Sequence, residues 1–289
     1  MPRSDKTFAE GNRGSLIRRC ETSRSRLALA LEAGKRGNYL LAIKILREII
    51  SETDALPEAW LLLGRSFHAI KDYSRSLAAF NDYLKLRPGA AEGYFFAGRS
   101  YLSLGMPYKA VPFLRKALEK SSKAGTDLQS RVKALLGIAY LKSKHSQAAV
   151  EILQEAVELA PADKRIYRAY LNCLFVRGIR LCGIEDYELG LQMLRFVLDN
   201  SREAGMAESP LLRLELGRAA RETGNLKEAL EHFTVALSIT KDVPGQTGEP
   251  DKHRDPDILL SLYHQGSRSS TYPQAFWQPR SRNQRGIAR

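Results

Sequence analysis

Histidine and cysteine, the side chains that most often perform chemistry in proteins, are few and widely spaced in this sequence. The histidines stand at positions 68, 145, 232, 253 and 264, and no two of them have the four-residue spacing of a helical metal site. The cysteines, Cys20, Cys173 and Cys182, form no CxxC pair. No phosphate-binding glycine loop and no GxSxG nucleophile motif occurs either. We therefore expect a protein that is not an enzyme, with no catalytic residue, no metal site and no cofactor.

The composition indicates a globular protein of a reducing compartment. The 289 residues, of which 44% are hydrophobic, suffice for one large or two small domains. Three cysteines do not make a disulfide framework. The start, MPRSDKTFAEGNRG, lacks the apolar stretch of a secretory signal, and no apolar run reaches the ~18 residues of a membrane span. We predict a soluble, cytoplasmic protein without membrane contact, and its net charge of +13 favours acidic partners or nucleic acid.

An apolar pattern recurs along the chain with a period of 34 residues. In the stretch EAWLLLGRSF, the large residues Trp60, Leu63 and Phe67 and the small residue Gly64 have the offsets that place them on one helix face. One period later, the same positions hold Tyr94, Ala97, Gly98 and Tyr101. A period of this length is typical of a solenoid, in which each unit buries its apolar face against its neighbours.

These residues resemble the tetratricopeptide repeat, whose units carry large, small and aromatic residues at fixed positions and a proline near the end. The segments PEAWLLLGRSFHAIKDYSRSLAAFNDYLKLRP, LLGIAYLKSKHSQAAVEILQEAVELAP and LELGRAARETGNLKEALEHFTVAL match this pattern. The resemblance implies an all-α fold, a right-handed α-solenoid of about six helix hairpins over residues 23–240. The implied repeats lie near 23–56, 57–90, 91–129, 130–163, 164–209 and 210–240.

Two units are longer than the period, and each contains an Ala-Gly pair, at 124–125 and at 204–205. This predicts that the second helix of each unit is extended by about a turn and ended by a left-handed glycine. After the glycine, we expect Thr126 or Asp127 to cap one following helix and Ser209 to cap the other.

The fifth unit carries a longer insertion. If Leu171 takes the small eighth position of the repeat and Gly190 the twentieth, seven residues are added between them, which is close to two helical turns. We therefore predict a long helix pair that projects from the array. Its many apolar residues either pack on lengthened partner helices or form an exposed docking surface.

The resemblance places repeat positions 5, 9 and 12 on the inner groove of the array, with positions 2 and 13 at its edges. In this chain these positions mix arginines with apolar side chains, which suits a peptide with acidic and apolar residues. A chaperone-binding clamp of Lys and Asn in the first repeat is not matched, because Leu27 and Leu31 stand there. The predicted groove residues are Arg65, His68, Phe95, Arg99, Lys142, Arg168, Asn172, Phe175, Arg218 and Arg221.

We therefore predict a protein–protein interaction scaffold or adaptor that binds an acidic and apolar peptide segment of its partner in this groove. The alternative is a nucleic-acid-associated protein that uses the basic groove and tail, and it predicts binding with a steep salt dependence. Against this alternative, acidic residues are interspersed among the basic ones throughout the repeats.

The two ends of the chain differ from the repeats in composition. Residues 1–22 are polar and basic, and we expect them to be flexible. After the loop KDVPGQTGEPDKHRDP, the apolar pattern of DILLSLYH predicts a short helix over 257–264 that caps the sixth repeat. Leu259, Tyr272 and Ala275 have the spacing of a seventh repeat that begins and is abandoned. The final stretch, QPRSRNQRGIAR, predicts a disordered basic tail, or else a truncated or out-of-frame end.

Overall fold

The computed structural model describes residues 23–53, 55–123 and 125–241, and within these ranges the chain is a succession of α-helix hairpins without a β-strand. The segments 1–22 and 242–289 lie outside the described residues, as do the flexible start, the capping helix over 257–264 and the basic tail that we expect there. The helices are α1 (23–35), α2 (Tyr39–Glu52), α3 (Pro57–Ala69), α4 (Tyr73–Leu86), α5 (Ala91–Ser103), α6 (Pro107–Lys120), α7 (Thr126–Lys142), α8 (Ser146–Leu159), α9 (Lys164–Gly183), α10 (Tyr187–Ser201), α11 (Pro210–Glu222) and α12 (Leu226–Lys241).

The two helices of every hairpin are joined by a turn in which one residue has a left-handed backbone. In the first hairpin this residue is Gly37, with a φ of 79°, a conformation that glycine adopts without steric strain. A residue with this left-handed backbone stands at the same repeat position in each unit, so the six turns have the same conformation whether or not that residue is glycine. The six residues are Gly37, Lys71, Gly105, Lys144, Glu185 and Gly224.

In two of these turns the next residue caps the second helix. The side-chain oxygen of Asn38 accepts a hydrogen bond from the backbone N–H of Leu41 at 3.2 Å. The carboxylate of Asp72 accepts one from the backbone N–H of Arg75 at 3.0 Å. Each bond satisfies a first-turn N–H that has no partner inside its own helix, and such a cap stabilises a helix by ~1 kcal/mol.

The two long connections contain left-handed glycines, as the sequence predicts. Gly125 has a φ of 85° and Gly205 a φ of 66°. The extension that precedes Gly125 is a 3-10 turn after α6, however, and not a further turn of α-helix. Ser209 caps α11 as expected. The cap expected from Thr126 or Asp127 is wrong, because α7 begins directly after Gly125 without any side-chain cap.

Small residues on the first helix of a hairpin let the second helix approach closely. A Cβ atom added at Gly64 in α3 would stand 2.5 Å from the ring of Phe80 in α4. The hydroxyl of Ser76, also in α4, donates a hydrogen bond to the carbonyl oxygen of Gly64 at 2.8 Å. The same approach recurs between Gly217 and Phe233. Close packing of this kind offsets the ~1 kcal/mol that a glycine costs inside a helix.

The long helix of the fifth unit is α9, with 20 residues against 13 in α3. The register that we predicted for it is wrong, because Gly178 and not Leu171 faces Gly190 in α10. A Cβ atom added at Gly178 would stand 3.3 Å from the carbonyl oxygen of Gly190. The extra residues therefore lie at the start of α9, and α10 has an ordinary length of 15 residues. The expected long helix pair is one long helix with a normal partner.

The odd-numbered helices α3, α5, α7, α9 and α11 form a row in which each contacts the next one. Within the described residues, no two even-numbered helices make comparable contact. Each of α4, α6, α8 and α10 instead packs against the odd-numbered helices on either side. The exposed side chains of the odd-numbered helices therefore lie on one face of the array, which we call the inner face. This architecture is the predicted α-solenoid of stacked hairpins.

Candidate peptide-binding groove

The part of the chain that the structure describes holds no cluster of histidine, cysteine and acidic side chains able to bind a metal ion. Nor does a helix in these ranges have both the length and the apolar character needed to cross a bilayer. Burial raises the pKa of the Cys173 thiol to about 12, so that this thiol is protonated at neutral pH and is a poor nucleophile. The chemistry of the inner face lies in its charged side chains.

Three arginines on three consecutive odd-numbered helices lie near one another on the inner face. They are Arg65 on α3, Arg99 on α5 and Arg131 on α7, and we refer to them as the arginine strip. Arg65 and Arg99 are exposed, and Arg131 is partly exposed. Burial among the surrounding helices, followed by the charges of Arg131 and Arg65, lowers the pKa of Arg99. The guanidinium of Arg99 is therefore close enough to those of Arg65 and Arg131 for both to repel it.

Aromatic rings lie beneath the arginine strip. The guanidinium of Arg65 is 5.5 Å from the ring centroid of Phe96, and that of Arg131 is 5.2 Å from the ring centroid of Phe95. Both distances are within the range of a cation–π contact, which orients the arginine without neutralising its charge. Phe95 itself is only 3% exposed and packs against Val132. The prediction that Phe95 contacts a ligand is thus wrong, because its ring supports the strip from within the core.

The arginine strip has little acidic compensation from the described residues. Neither Arg65 nor Arg99 forms an ion pair there. Arg131 has one, at 3.4 Å from the exposed carboxylate of Asp127 one turn away, and such a surface pair contributes only ~0.3–0.5 kcal/mol. Three neighbouring positive charges with one weak partner create a positive potential on this face of the array.

His68 and Lys142 are further predicted groove residues on the odd helices, and both are half-buried. Burial lowers the pKa of the Lys142 ammonium. The ring of His68 lies 3.3 Å from the hydroxyl of Ser103 and stands edge-on to Tyr73 at 5.1 Å between centroids. Burial, and then the positive charge of Arg99, lowers the pKa of His68 to about 4. The imidazole is therefore neutral at pH 7 and adds hydrogen-bonding capacity without further charge.

The low pKa of His68 predicts a stability loss in mild acid. Between its folded pKa of about 4 and its unfolded value of 6.5, the unfolded chain binds the proton more readily, so stability falls as the pH drops through this window. We expect the unfolding free energy of the native protein to fall by roughly 1–3 kcal/mol more than that of His68→Asn between pH 7 and pH 4. Urea unfolding of both proteins at the two pH values measures this difference. A difference that does not change with pH would contradict the assignment.

The groove residues that we predicted on α9 were chosen with the wrong register. Arg168 and Phe175 contact other parts of the array and do not face a groove. Arg168 donates a hydrogen bond from Nε to the carbonyl oxygen of Ala204 at 2.8 Å, and so ties α9 to the connection between α10 and α11. Phe175 is only 7% exposed and belongs to the core, so its predicted role as a ligand contact is wrong. Asn172 is half-buried. We predicted that the apolar residues of this unit either pack in the core or form an exposed docking surface. Leu174 and Phe175 pack in the core.

The arginines predicted for the last unit of the groove have acidic partners on their own helix. Arg218 forms an ion pair with Glu215 at 2.8 Å. Arg221 forms one with Glu222 at 2.6 Å. Because both charges are matched locally, this end of the inner face offers less positive potential than the arginine strip.

Arg131 is the groove residue that sequence reasoning missed. It stands at position 2 of the fourth unit, an edge position of the implied groove, directly before the buried Val132. The sequence contained a signal for it. Arg131 at the edge position of the fourth unit follows Arg99 at position 9 of the third unit, and two such arginines extend one positive surface. The arginine strip thus lies in the second to fourth units.

Comparison with known proteins gives a consistent picture of the family. A family model described as the tetratricopeptide repeat matches residues 27–91, 70–125 and 175–245, and a second model of the same description matches residues 130–163. The match to 175–245 begins within α9, as the corrected register requires. A search of curated protein sequences finds no match.

Solved structures share the fold at low sequence identity. PilF of Pseudomonas aeruginosa is similar at a TM-score of 0.58 and 16% identity, over 86% of this chain and 99% of that chain. PilW is similar at a TM-score of 0.54 and 15% identity, over 77% of this chain and 96% of that chain. The tetratricopeptide protein YrrB is similar at a TM-score of 0.52 and 20% identity, over 75% of this chain and 97% of that chain. Since the family matches span more than half of the sequence and coincide with the helix hairpins, this chain belongs to the tetratricopeptide repeat family.

Proposed function

We propose that this protein is a non-catalytic scaffold that binds an acidic, partly apolar peptide segment of a partner protein along the arginine strip. One observation carries the proposal: Arg65 and Arg99 lie exposed on adjacent helices of the inner face without an ion pair among the described residues. The membership of the chain in a family of interaction repeats supports the general class of function. The acidic character of the ligand is our own inference from the strip.

The chemistry of the strip favours carboxylates over neutral groups. A guanidinium can donate two parallel hydrogen bonds to one carboxylate, and a charge-assisted bond of this kind contributes about 1.5–3 kcal/mol. A ligand carboxylate near Arg99 would also offset the repulsion that Arg65 and Arg131 exert on it. The rings of Phe95 and Phe96 hold the guanidinium groups in place, so less side-chain entropy is lost on binding.

A likeness to YrrB is compatible with this proposal. YrrB is described as a tetratricopeptide protein with an unusual peptide-binding site. That site belongs to YrrB, and at 20% identity the likeness shows the fold alone. We therefore derive the ligand chemistry of this chain from its own arginines.

Charge reversal of the strip tests the proposal. The probe is a fluorescein-labelled peptide of alternating glutamate and leucine, about twelve residues long, which suits an extended groove ligand. We expect Arg65→Glu/Arg99→Glu to weaken binding by about 100-fold or more, because two charge-assisted bonds become two repulsive contacts. Fluorescence anisotropy measures the affinity, and circular dichroism checks that the variant is folded.

The matched control is Arg218→Glu/Arg221→Glu, which changes the net charge by the same amount at the ion-paired end of the inner face. We expect it to weaken binding less than about 3-fold, through long-range electrostatics alone. Equal losses in both variants would show that net charge, and not the arginine strip, governs binding. Full affinity in the folded Arg65→Glu/Arg99→Glu protein, or no binding by the native protein, would also contradict the proposal.

Nucleic acid is the second candidate ligand, because the chain carries a net charge of +13. Ion pairs at several places in the array, such as Arg26 with Glu48 and Lys133 with Glu155, neutralise part of this charge. A single-stranded oligonucleotide used as competitor distinguishes the two ligands. Displacement of the peptide with a steep dependence on salt would favour nucleic acid. A cytoplasmic location stays a prediction from the cysteine usage.

A further inference from the structure

Two arginines stand at core positions of the fifth unit. Since Gly178 takes the eighth position of the repeat, Arg177 occupies position 7 and Arg180 position 10 of α9. Both arginines are partly exposed. In the second, third, fourth and sixth units, the residues at these positions are leucine, alanine or serine and are at most 6% exposed. They are Leu63, Ala97, Leu136 and Leu216 at position 7, and Ser66, Ser100, Ala139 and Ala219 at position 10.

This face of α9 lies against the turn that joins α7 to α8. Arg180 donates a hydrogen bond from Nη1 to the carbonyl oxygen of Lys144 at 3.1 Å. On the same face of α9, the Sγ of Cys173 lies 4.0 Å from the carbonyl oxygen of Ser146. Arg177 stands between these two residues of α9, because offsets of four and three residues share one helix face. We call the contact between this face of α9 and the turn 143–146 the basic seam.

Two buried polar atoms in the basic seam have no hydrogen-bond partner among the described residues. They are the Nε of Arg177 and the hydroxyl oxygen of Ser143. Ser143 is only 3% exposed, whereas Ile70 and Ile184, at the same repeat position, are 36% and 73% exposed. Because a folded protein rarely leaves a buried donor without a partner, these two atoms point to a group that binds in the seam.

The charge of the basic seam is positive. Burial raises the pKa of the Cys173 thiol, and the charges of Arg177 and Arg180 oppose this rise, while no described carboxylate acts on the thiol. Arg177 forms no ion pair within the described part of the chain. Since both arginines are partly exposed, a ligand can reach them from solvent. The seam therefore favours an anion that also accepts a hydrogen bond from a hydroxyl group.

We propose that the basic seam binds a phosphate group, with the guanidinium groups of Arg177 and Arg180 and the hydroxyl of Ser143 as donors. A phosphate monoester carries nearly two negative charges at neutral pH and accepts hydrogen bonds through three oxygens. It can thus offset two guanidinium groups, whereas a carboxylate carries a single charge. The phosphate group is that of free inorganic phosphate or of a phosphoserine in a partner. The proposal does not involve the arginine strip and is independent of the proposed function.

Replacement of both arginines by the residue types of the fourth unit tests the proposal. Arg177→Leu/Arg180→Ala introduces the side chains that Leu136 and Ala139 provide there, so we expect a folded protein that melts no lower than the native one in phosphate-free buffer. The probes are methyl phosphate and inorganic phosphate, titrated at constant ionic strength in a calorimeter. We expect the native protein to bind one equivalent and the double variant to bind at least about 30-fold more weakly.

Two further variants separate the site from net charge and from misfolding. Lys44→Leu/Lys109→Ala makes the same two kinds of change at exposed positions of other units, and we expect it to alter the affinity less than about 2-fold. Ser143→Ala removes one donor without a change in charge, and we expect binding to weaken by about 3- to 10-fold. A serine peptide and its phosphoserine form distinguish the sources: tighter binding of the phosphopeptide than of inorganic phosphate assigns the site to a partner, and the reverse order assigns it to the free ion.

Several results would overturn the proposal. They are the absence of saturable binding of both phosphate compounds by the native protein, equal affinity in the native protein and Arg177→Leu/Arg180→Ala, an equal loss in Lys44→Leu/Lys109→Ala, and acetate that binds as tightly as methyl phosphate. The variant Arg65→Glu/Arg99→Glu leaves the basic seam intact, so it should bind methyl phosphate like the native protein while it loses the acidic peptide. The two proposals can therefore fail separately.

Discussion

Replacement of Phe80 by alanine is expected to lower the free energy of unfolding by about 3–5 kcal/mol. Phe80 is fully buried, and its ring occupies the space that Gly64 leaves open between α3 and α4. The ring also stacks on Phe96 of α5 at 5.5 Å between centroids, so it joins the second hairpin to the third. Removal of the ring leaves a cavity at the junction of three helices, and the close approach of backbones there limits how far they can collapse into it.

The matched control is Phe196→Ala, because Phe196 lies on α10 and is 43% exposed. The same chemical change there should cost about 1 kcal/mol or less, as less apolar surface leaves the core. Urea unfolding followed by circular dichroism measures both values. Since units of a repeat array can unfold separately, the transitions should be fitted with a nearest-neighbour model as well as a two-state one. Similar losses in the two variants would refute the packing role of Phe80.

Replacement of Gly190 by valine is expected to cost about 3 kcal/mol or more. A Cβ atom at residue 190 would stand 2.5 Å from the Sγ of Cys182 and 3.1 Å from the carbonyl oxygen of Gly178. The thiol can rotate away, but the carbonyl belongs to the backbone of α9 and cannot move alone. The whole of α10 would have to shift outward, which disturbs the largest core cluster of the described residues.

Gly34→Ala is the control for this prediction, because it adds the same first carbon at an open site. No atom lies within 4 Å of a Cβ built at Gly34, which is in the last turn of α1. We expect this change to stabilise the protein by up to about 0.5–1 kcal/mol through a higher helix propensity. Thermal unfolding should thus shift in opposite directions in the two variants. A shift in the same direction would show that the seam between α9 and α10 is looser than its contacts indicate.

The hairpins were predictable because their signal is repeated. The small residues Gly64, Gly98 and Gly217 each lie on a first helix, and each faces a large side chain of the second one. A periodic pattern fixes such a seam without knowledge of the long-range packing. The register of the fifth unit could not be predicted in this way. Leu171 and Gly178 are seven residues apart, which is nearly two turns, so both lie on the same face of the helix. Only the contact between Gly178 and Gly190 decides between the two registers.

The sequence predicted which residues of the candidate site lie on the inner face, but it did not predict their burial or their bonding partners. The pattern located Arg65 and Arg99 on the inner face, where both are exposed. It could not foresee that Arg168 donates a hydrogen bond to the carbonyl oxygen of Ala204, because the connection that contains Ala204 breaks the 34-residue period. Nor could it show that Phe95 turns its ring beneath Arg131. Repeat positions identify a face, whereas burial and ion pairing depend on neighbours from other units.

The unusual length of α9 has a mechanical consequence. Like α5 and α7, this helix contacts the odd-numbered helix on either side. In addition, Arg180 and Arg168 tie it to the carbonyl oxygens of Lys144 and Ala204. If the protein is stretched from its two ends, the hairpins should open one after another and the opening should pause at α9. Single-molecule force spectroscopy would record this pause as one rupture at higher force. We therefore expect the array to extend elastically under load, with α9 as the stiff segment that holds its two halves together.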